Sequence, residues 1–166
     1  MHDAASISLI GMPGSGKSTV GVLLAKSLNK QFIDTDLFIQ QRCGSTLQDY
    51  LERYWVDQLR RVEEETILAL ELKDAVVATG GSAIYGLAAM KHLKGHSRII
   101  FLDVSFELMI TRIGDYSARG IAKDPGLTLE DMYDERLQYY RKYAEATVRA
   151  DSSTEAVRAM IEDLTR

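Results

Sequence analysis

One octet near the N-terminus constrains this chain more than anything else in it. Gly11-Met12-Pro13-Gly14-Ser15-Gly16-Lys17-Ser18 follows the apolar run Ile7-Ser8-Leu9-Ile10 and leads directly into the helix-like Thr19-Val20-Gly21-Val22-Leu23-Leu24-Ala25-Lys26. This is the phosphate-binding P-loop pattern, set between a strand and a helix as its chemistry requires. Gly11, Gly14 and Gly16 let the backbone turn tightly enough for consecutive N–H groups to surround a phosphate, and the following helix directs the positive end of its dipole at the anion. Lys17 supplies a point charge to the β- and γ-phosphates, and the Ser18 hydroxyl reaches Mg²⁺. The expected nucleotide-binding set is Gly11, Gly14, Ser15, Gly16, Lys17, Ser18 and Thr19. An ordinary glycine-rich turn requires neither Lys17 nor Ser18 and leaves their adjacency unexplained.

At 166 residues with 46% hydrophobic content, the chain is long enough for one substantial core and too short for two ordinary domains. A single domain over 1–166 is expected. The formal charge of −4 argues against a general nucleic-acid binder. The one cysteine, Cys43, excludes an intramolecular disulfide framework and reads as a small half-buried side chain. No stretch approaches the roughly 18 apolar residues of a membrane span, and the N-terminus is too polar for a signal peptide. A soluble cytoplasmic protein is expected, with no membrane partner. The sequence fixes no oligomeric state, and a monomer fits it.

Short β-type runs alternate with longer helical patterns. Residues 6–11, 31–36, 75–80, 97–104 and 146–151 read as strands, and their rhythm implies a parallel sheet. Ala75-Val76-Val77-Ala78 and Ile99-Ile100-Phe101-Leu102 are continuously apolar, which suits central strands covered on both faces. Ser45 and Gln48 have capping-box spacing ahead of an apolar series, as do Ser152 and Glu155 ahead of Val157, Met160, Ile161 and Leu164. Residues 114–126, with three glycines and a proline, read as a loop. In a nucleotide-dependent transferase such a loop serves as a lid that excludes water, although a surface excursion has the same composition.

Two carboxylates, Asp34 and Asp36, close the second strand, where ligands of open α/β sheets bind. One can organise the Mg²⁺ water shell and the other accept a hydrogen bond from an acceptor hydroxyl, or both can cap the next helix. Gly80 and Gly81, at the exit of the third strand, suit close approach of a ligand or a simple turn. Arg60 lies in Leu59-Arg60-Arg61-Val62-Glu63-Glu64-Glu65, which by composition alone is a solvated helix face.

Taken together, the P-loop, Phe32-Ile33-Asp34-Thr35-Asp36, Leu59-Arg60-Arg61-Val62-Glu63, Ala78-Thr79-Gly80-Gly81, Arg119 and Glu135-Arg136 resemble the shikimate kinase family in order and approximate spacing over nearly the whole chain. The resemblance implies an α/β fold of the P-loop nucleoside monophosphate kinase type. Its features are a five-stranded parallel sheet, helices on both faces and a mobile lid. It implies ATP and Mg²⁺ as cofactors, with Asp34 near the metal and Asp36 holding the acceptor hydroxyl. Arg60 and Arg136 then grip an acceptor carboxylate, a geometry suited to guanidinium. Gly80, Gly81 and Ser82 form the acceptor-side turn, Arg119 reaches the transferring phosphoryl, and Arg112 lies against adenine.

The departures from the family pattern fall on the acceptor side. Ser82 replaces a third glycine, Gly120 and Ile121 follow the lid arginine in place of proline and leucine, Leu137-Gln138-Tyr139-Tyr140 follows Arg136, and Leu59 replaces an aromatic. The expected activity is therefore Mg²⁺-dependent transfer of the γ-phosphoryl of ATP to a small alcohol bearing a carboxylate, with Lys17, Asp36 and Arg119 catalytic. Shikimate is the first acceptor and homoserine the alternative, for which Ser82 and Gln138 supply polar contacts to an ammonium. A nucleotide-binding module without catalysis would need neither Asp36 nor Arg119. A GTPase would need an N-K-x-D sequence that is not found.

Overall fold

The computed structural model describes residues 6–115 and 120–165. Strands β1 (Ser6–Gly11), β2 (Gln31–Asp34), β3 (Ala75–Ala78), β4 (Ser97–Asp103) and β5 (Ala146–Arg149) form one parallel sheet in the order β2-β3-β1-β4-β5. The chain moves from central β1 first to one side and later to the other, so a topological switch lies beside the end of β1, where ligands of open α/β sheets bind. The register brings Asp34 of β2 opposite Ala78 of β3, and Gly11 of β1 opposite Leu102 of β4. The P-loop, the Asp34 carboxylate and the turn after β3 therefore open on one edge.

All five expected strands are present, and four of them end one or two residues early. At β2 the cause is explicit. Asp34 is the N-cap of α2 (Thr35–Cys43), and its Oδ1 accepts the N–H groups of Asp36 and Leu37 at 3.0 and 3.4 Å. The chain leaves the sheet there, so Asp36 stands in the first turn of a helix and not at the end of a strand. Asp34 thus caps the helix through Oδ1 and leaves Oδ2 for other donors.

The remaining helices are α1 (Lys17–Leu28), α3 (Leu47–Arg53), α4 (Val56–Leu68), α5 (Leu87–His96), α6 (Phe106–Ile113), α7 (Leu129–Tyr143) and α8 (Thr154–Thr165), with a short 3-10 turn at Ala83–Tyr85. Two caps lie one residue beyond the expected boxes. Thr46 Oγ1, not Ser45, accepts Asp49 N–H at 3.1 Å, and Ser153 Oγ, not Ser152, accepts Ala156 N–H at 3.3 Å. The stripe on α8 is narrower than expected: Val157 and Ile161 are buried while Met160 and Leu164 stay about 40% exposed.

Helices cover both faces of the sheet, so Val76, Val77 and Ile99 through Leu102 are fully buried. Each large side chain of this kind contributes about 1.5–3 kcal/mol. A separate small core of Ile39, Leu59 and Ala122, with half-buried Cys43, Leu47 and Tyr50 against it, ties α2, α3 and α4 to the chain beyond residue 119. It supports the acceptor side of the cleft. Among the described residues, no helix is long and apolar enough to cross a membrane.

Candidate active site

The P-loop curls around its own lysine. Gly16 sits at the N-terminus of α1 with φ +92°, a left-handed conformation suited to glycine, and no side chain caps the helix. The first N–H groups of an α-helix have no partner within it, so they face the loop as donors for an anion. The Lys17 ammonium donates to the carbonyls of Gly11 and Met12 at 2.6 and 2.8 Å and to Ser15 Oγ at 3.3 Å. Burial pulls its pKa down to about 8, against the opposing pull of Asp36.

Ser18 Oγ donates to Asp34 Oδ2 at 2.6 Å. A hydroxyl and a carboxylate oxygen this close are the hard oxygen donors that Mg²⁺ takes alongside water and phosphate. The donor set at the mouth of the P-loop therefore fits the ion. A cavity of about 310 Å³ runs from Gly16, Lys17 and Thr19 to Asp36, Ser82 and Arg136. A second, of about 320 Å³, lies behind the loop between Thr19, Arg112, Ala150 and Val157. Arg112 donates there to the carbonyls of Gly14 and Ala150 at 3.3 and 3.0 Å, which fixes its guanidinium as one wall.

The acceptor side is built from side chains of four separate segments. Glu63 on α4 and Asp36 on α2 close in on Gly80, where a Cβ would lie 2.3 Å from Glu63 Oε1 and 2.8 Å from Asp36 Oδ1. At Gly81 a Cβ would lie 2.9 Å from Arg136 Nη1. The glycine pair thus gives the carboxylates and Arg136 room. Thr35 Oγ1 accepts Gly80 N–H at 3.0 Å, and Tyr140 donates its hydroxyl to the Gly81 carbonyl at 2.6 Å, so the turn is fixed from both sides. Burial, reinforced by Asp34, pushes Asp36 up to about 6, and Lys17 opposes the shift.

Arg136 is 1% exposed and donates from Nη2 to the carbonyl of Ala122. Arg60 lies with its guanidinium 4.1 Å above the ring of Tyr85, a cation–π contact, and Arg136 approaches the same ring at 5.7 Å. Arg60 stays outside the wall of the cavity that Asp36, Ser82 and Arg136 line. Its terminal nitrogens donate to both carboxylate oxygens of Asp124 at 3.1 and 2.9 Å. Four buried side-chain polar atoms lack a hydrogen-bond partner among the described residues: Asp36 Oδ1, Arg60 Nε, Arg136 Nε and Thr66 Oγ1. Leaving such an atom unpaired costs about 1–3 kcal/mol, and three of the four belong to expected acceptor residues.

The sequence reading passed over Glu63, Tyr85 and Asp124. Glu63 had a usable signal, since it lies three residues after Arg60 and so shares its helix face. Burial pushes its carboxyl up to about 7, while the hydrogen bond donated by Ser82 Oγ works in the opposite direction. Ser82, in the third-glycine position, is therefore committed to Glu63, and Gln138 is exposed on α7. Neither is free in the cleft to meet an ammonium. Gly120 also has a reason of its own: with φ +62° and its N–H donating to Gln48 Oε1 at 2.9 Å, it takes a backbone conformation and a bond that proline cannot. Arg119 lies outside the described residues.

A P-loop at the switch point of a β2-β3-β1-β4-β5 parallel sheet, a hydroxyl and carboxylate for Mg²⁺, and a neighbouring pocket define a P-loop kinase of the nucleoside monophosphate kinase type. A family model described as shikimate kinase matches residues 13–165. The shikimate kinase of a Sulfurihydrogenibium species is 33% identical over 150 residues, covering 90% of this chain and 90% of its own. That of Aquifex aeolicus is 34% identical over 152 residues, covering 91% and 90%. Among solved structures, the Acinetobacter baumannii shikimate kinase in complex with shikimate superposes with a TM-score of 0.89 at 28% identity, over 96% of this chain and 92% of that one. The chain belongs to the shikimate kinase family, ATP- and Mg²⁺-dependent phosphotransferases with an alcohol acceptor. Homoserine, the alternative acceptor, receives no support from these relatives.

Proposed function

We propose that this chain transfers the γ-phosphoryl group of ATP to a hydroxyl of shikimate, with Lys17, Asp36 and Arg119 as its catalytic residues. The amides from Gly14 to Thr19 and the Lys17 ammonium hold the β- and γ-phosphates, and Arg112 flanks the adenine. Ser18 and Asp34 would hold Mg²⁺, which would supply neutralisation of the charge that develops on the phosphates. Asp36 accepts the proton of the acceptor hydroxyl as the new O–P bond forms and the bond to the ADP oxygen breaks. A pKa near 6 keeps it an effective base at neutral pH. Arg60 and Arg136 take the acceptor carboxylate, Gly80, Gly81 and Ser82 shape the wall beside it, and Arg119 on the 114–126 lid stabilises the transferring group. The chain acts as one domain, in the cytoplasm.

The observation that carries this reading is that Asp36 Oδ1 and Arg136 Nε are buried without a partner in residues that line the cavity beside the P-loop, with the equally partnerless Arg60 Nε on a guanidinium that shares the Tyr85 ring with Arg136. A cleft with a base and two arginine forks fits one molecule that bears both a hydroxyl and a carboxylate. The test is ADP release from MgATP with shikimate, with homoserine, and with a shikimate analogue lacking the carboxylate. Turnover with shikimate, and a loss of at least tenfold in kcat/KM for the analogue, is expected. Equal turnover of the analogue would remove the two arginines from the acceptor site.

A further inference from the structure

Both arginines assigned to the acceptor carboxylate are engaged by one short piece of chain, residues 122–124. Arg136 Nη2 donates to the Ala122 carbonyl, and Arg60 makes a two-pronged pair with the Asp124 carboxylate at 3.1 and 2.9 Å. Asp57, at 3.9 Å, is a looser second partner of Arg60. We infer that Asp124 is a resident carboxylate of the acceptor site, which occupies Arg60 in the empty enzyme and must be displaced by the acceptor's own carboxylate. The inference rests on the reading of Arg60 as a carboxylate-binding residue.

Three features support an exchange over a permanent structural pair. The Arg60 side chain is only 18% exposed, so a partner is needed when no acceptor is present, whereas Asp124 is 38% exposed and returns to water at little cost. The guanidinium lies against Tyr85 at 4.1 Å, a contact independent of which carboxylate occupies its edge. The end-on fork that Asp124 uses is the same geometry that an acceptor carboxylate would use, and Arg60 Nε is still partnerless with Asp124 in place. Among the described residues the Asp124 carboxylate accepts from no hydrogen-bond donor but Arg60; Lys123 Nζ and Leu127 N–H both go to its backbone carbonyl.

An enzyme whose competent form is only a fraction of the whole binds its ligand more weakly by that fraction. Asp124→Ala should therefore tighten shikimate binding, measured calorimetrically without nucleotide, by roughly 3- to 10-fold, the effect of a partly exposed ion pair. Asp124→Asn, which keeps an oxygen but no charge, should tighten it less. In an Arg60→Ala background the substitution should change nothing, because the two residues act as one unit. Unchanged or weaker binding in Asp124→Ala would overturn the inference, as would equal tightening with Arg60 absent. If Arg60→Ala alone binds shikimate as tightly as the wild type, the carboxylate-clamp reading itself has failed. If Arg60→Ala weakens binding while Asp124→Ala fails to tighten it, only the exchange has failed.

Discussion

The two halves of the cleft solve the same problem in opposite ways. On the nucleotide side one contiguous segment makes the phosphate cradle: Lys17 finds its acceptors five and six residues back, and the anion donors are backbone N–H groups at a helix start. On the acceptor side every functional group is a side chain or turn held from far along the chain. Ser82 reaches Glu63 across 19 residues, Gly80 reaches Thr35 across 45, and Arg60 reaches Asp124 across 64. A backbone-built phosphate site is insensitive to most side-chain changes. A side-chain site can be re-tuned one residue at a time while the phosphate end stays as it is.

The sharpest way to break that comparison is at Lys17, the P-loop side chain that brings charge to the phosphates. Lys17→Ala should lower kcat by roughly 10³-fold or more, because it removes charge aimed at the transferring phosphates, while the circular dichroism spectrum stays native. Near-normal turnover would take the lysine out of the reaction. Next in size, Arg136→Ala and Arg60→Ala should each raise the KM for shikimate by roughly 10- to 100-fold, the loss of a charge-assisted hydrogen bond, and leave the KM for ATP within about twofold. A matching rise for ATP would mean that the two halves are not separable.

A pH profile probes both halves at once. Asp36 must be deprotonated to accept a proton, so kcat/KM should fall as pH drops through about 6. Lys17 must be charged to attract phosphate, so kcat/KM should fall again as pH rises through about 8. A profile flat from 5 to 9 would remove both assignments. The smallest effect is expected at Gly120, where an added Cβ would lie 2.6 Å from the Gln48 backbone nitrogen at a φ of +62°. Gly120→Ala should cost about 1–2 kcal/mol in denaturant unfolding, and an unchanged midpoint would show that the segment rearranges freely.

The same asymmetry governs what the sequence could reveal. The P-loop was legible because its chemistry is local, and the five strands because uninterrupted apolar runs such as Ile99 to Leu102 have few other uses. The position of Asp36 was misread because extended and helical backbones separate only through where the Asp34 side chain goes, and that carboxylate turned inward to cap. Arg60 looked like a solvated helix residue until Tyr85 and Asp124 arrived from 25 and 64 residues downstream in space-filling contact. Ser82 and Gln138 appeared equivalent as polar residues, yet one is buried against Glu63 and the other faces water.

The central position of β1 has a consequence for how the chain acquires its structure. The strand that launches the P-loop is first in sequence, but its neighbours are late: Ser6 waits for Ala75, 69 residues on, and Ser8 for Ser97, 89 residues on. Such pairings close long loops before they return any stabilisation, which makes parallel sheets slow to form. On a ribosome delivering the chain from its N-terminus, Ile7, Leu9 and Ile10 have no sheet to enter until β3, Ala75–Ala78, has been made. The strand that launches the phosphate-binding loop is thus made before either of its neighbours, and during that interval its apolar residues are exposed to aggregation.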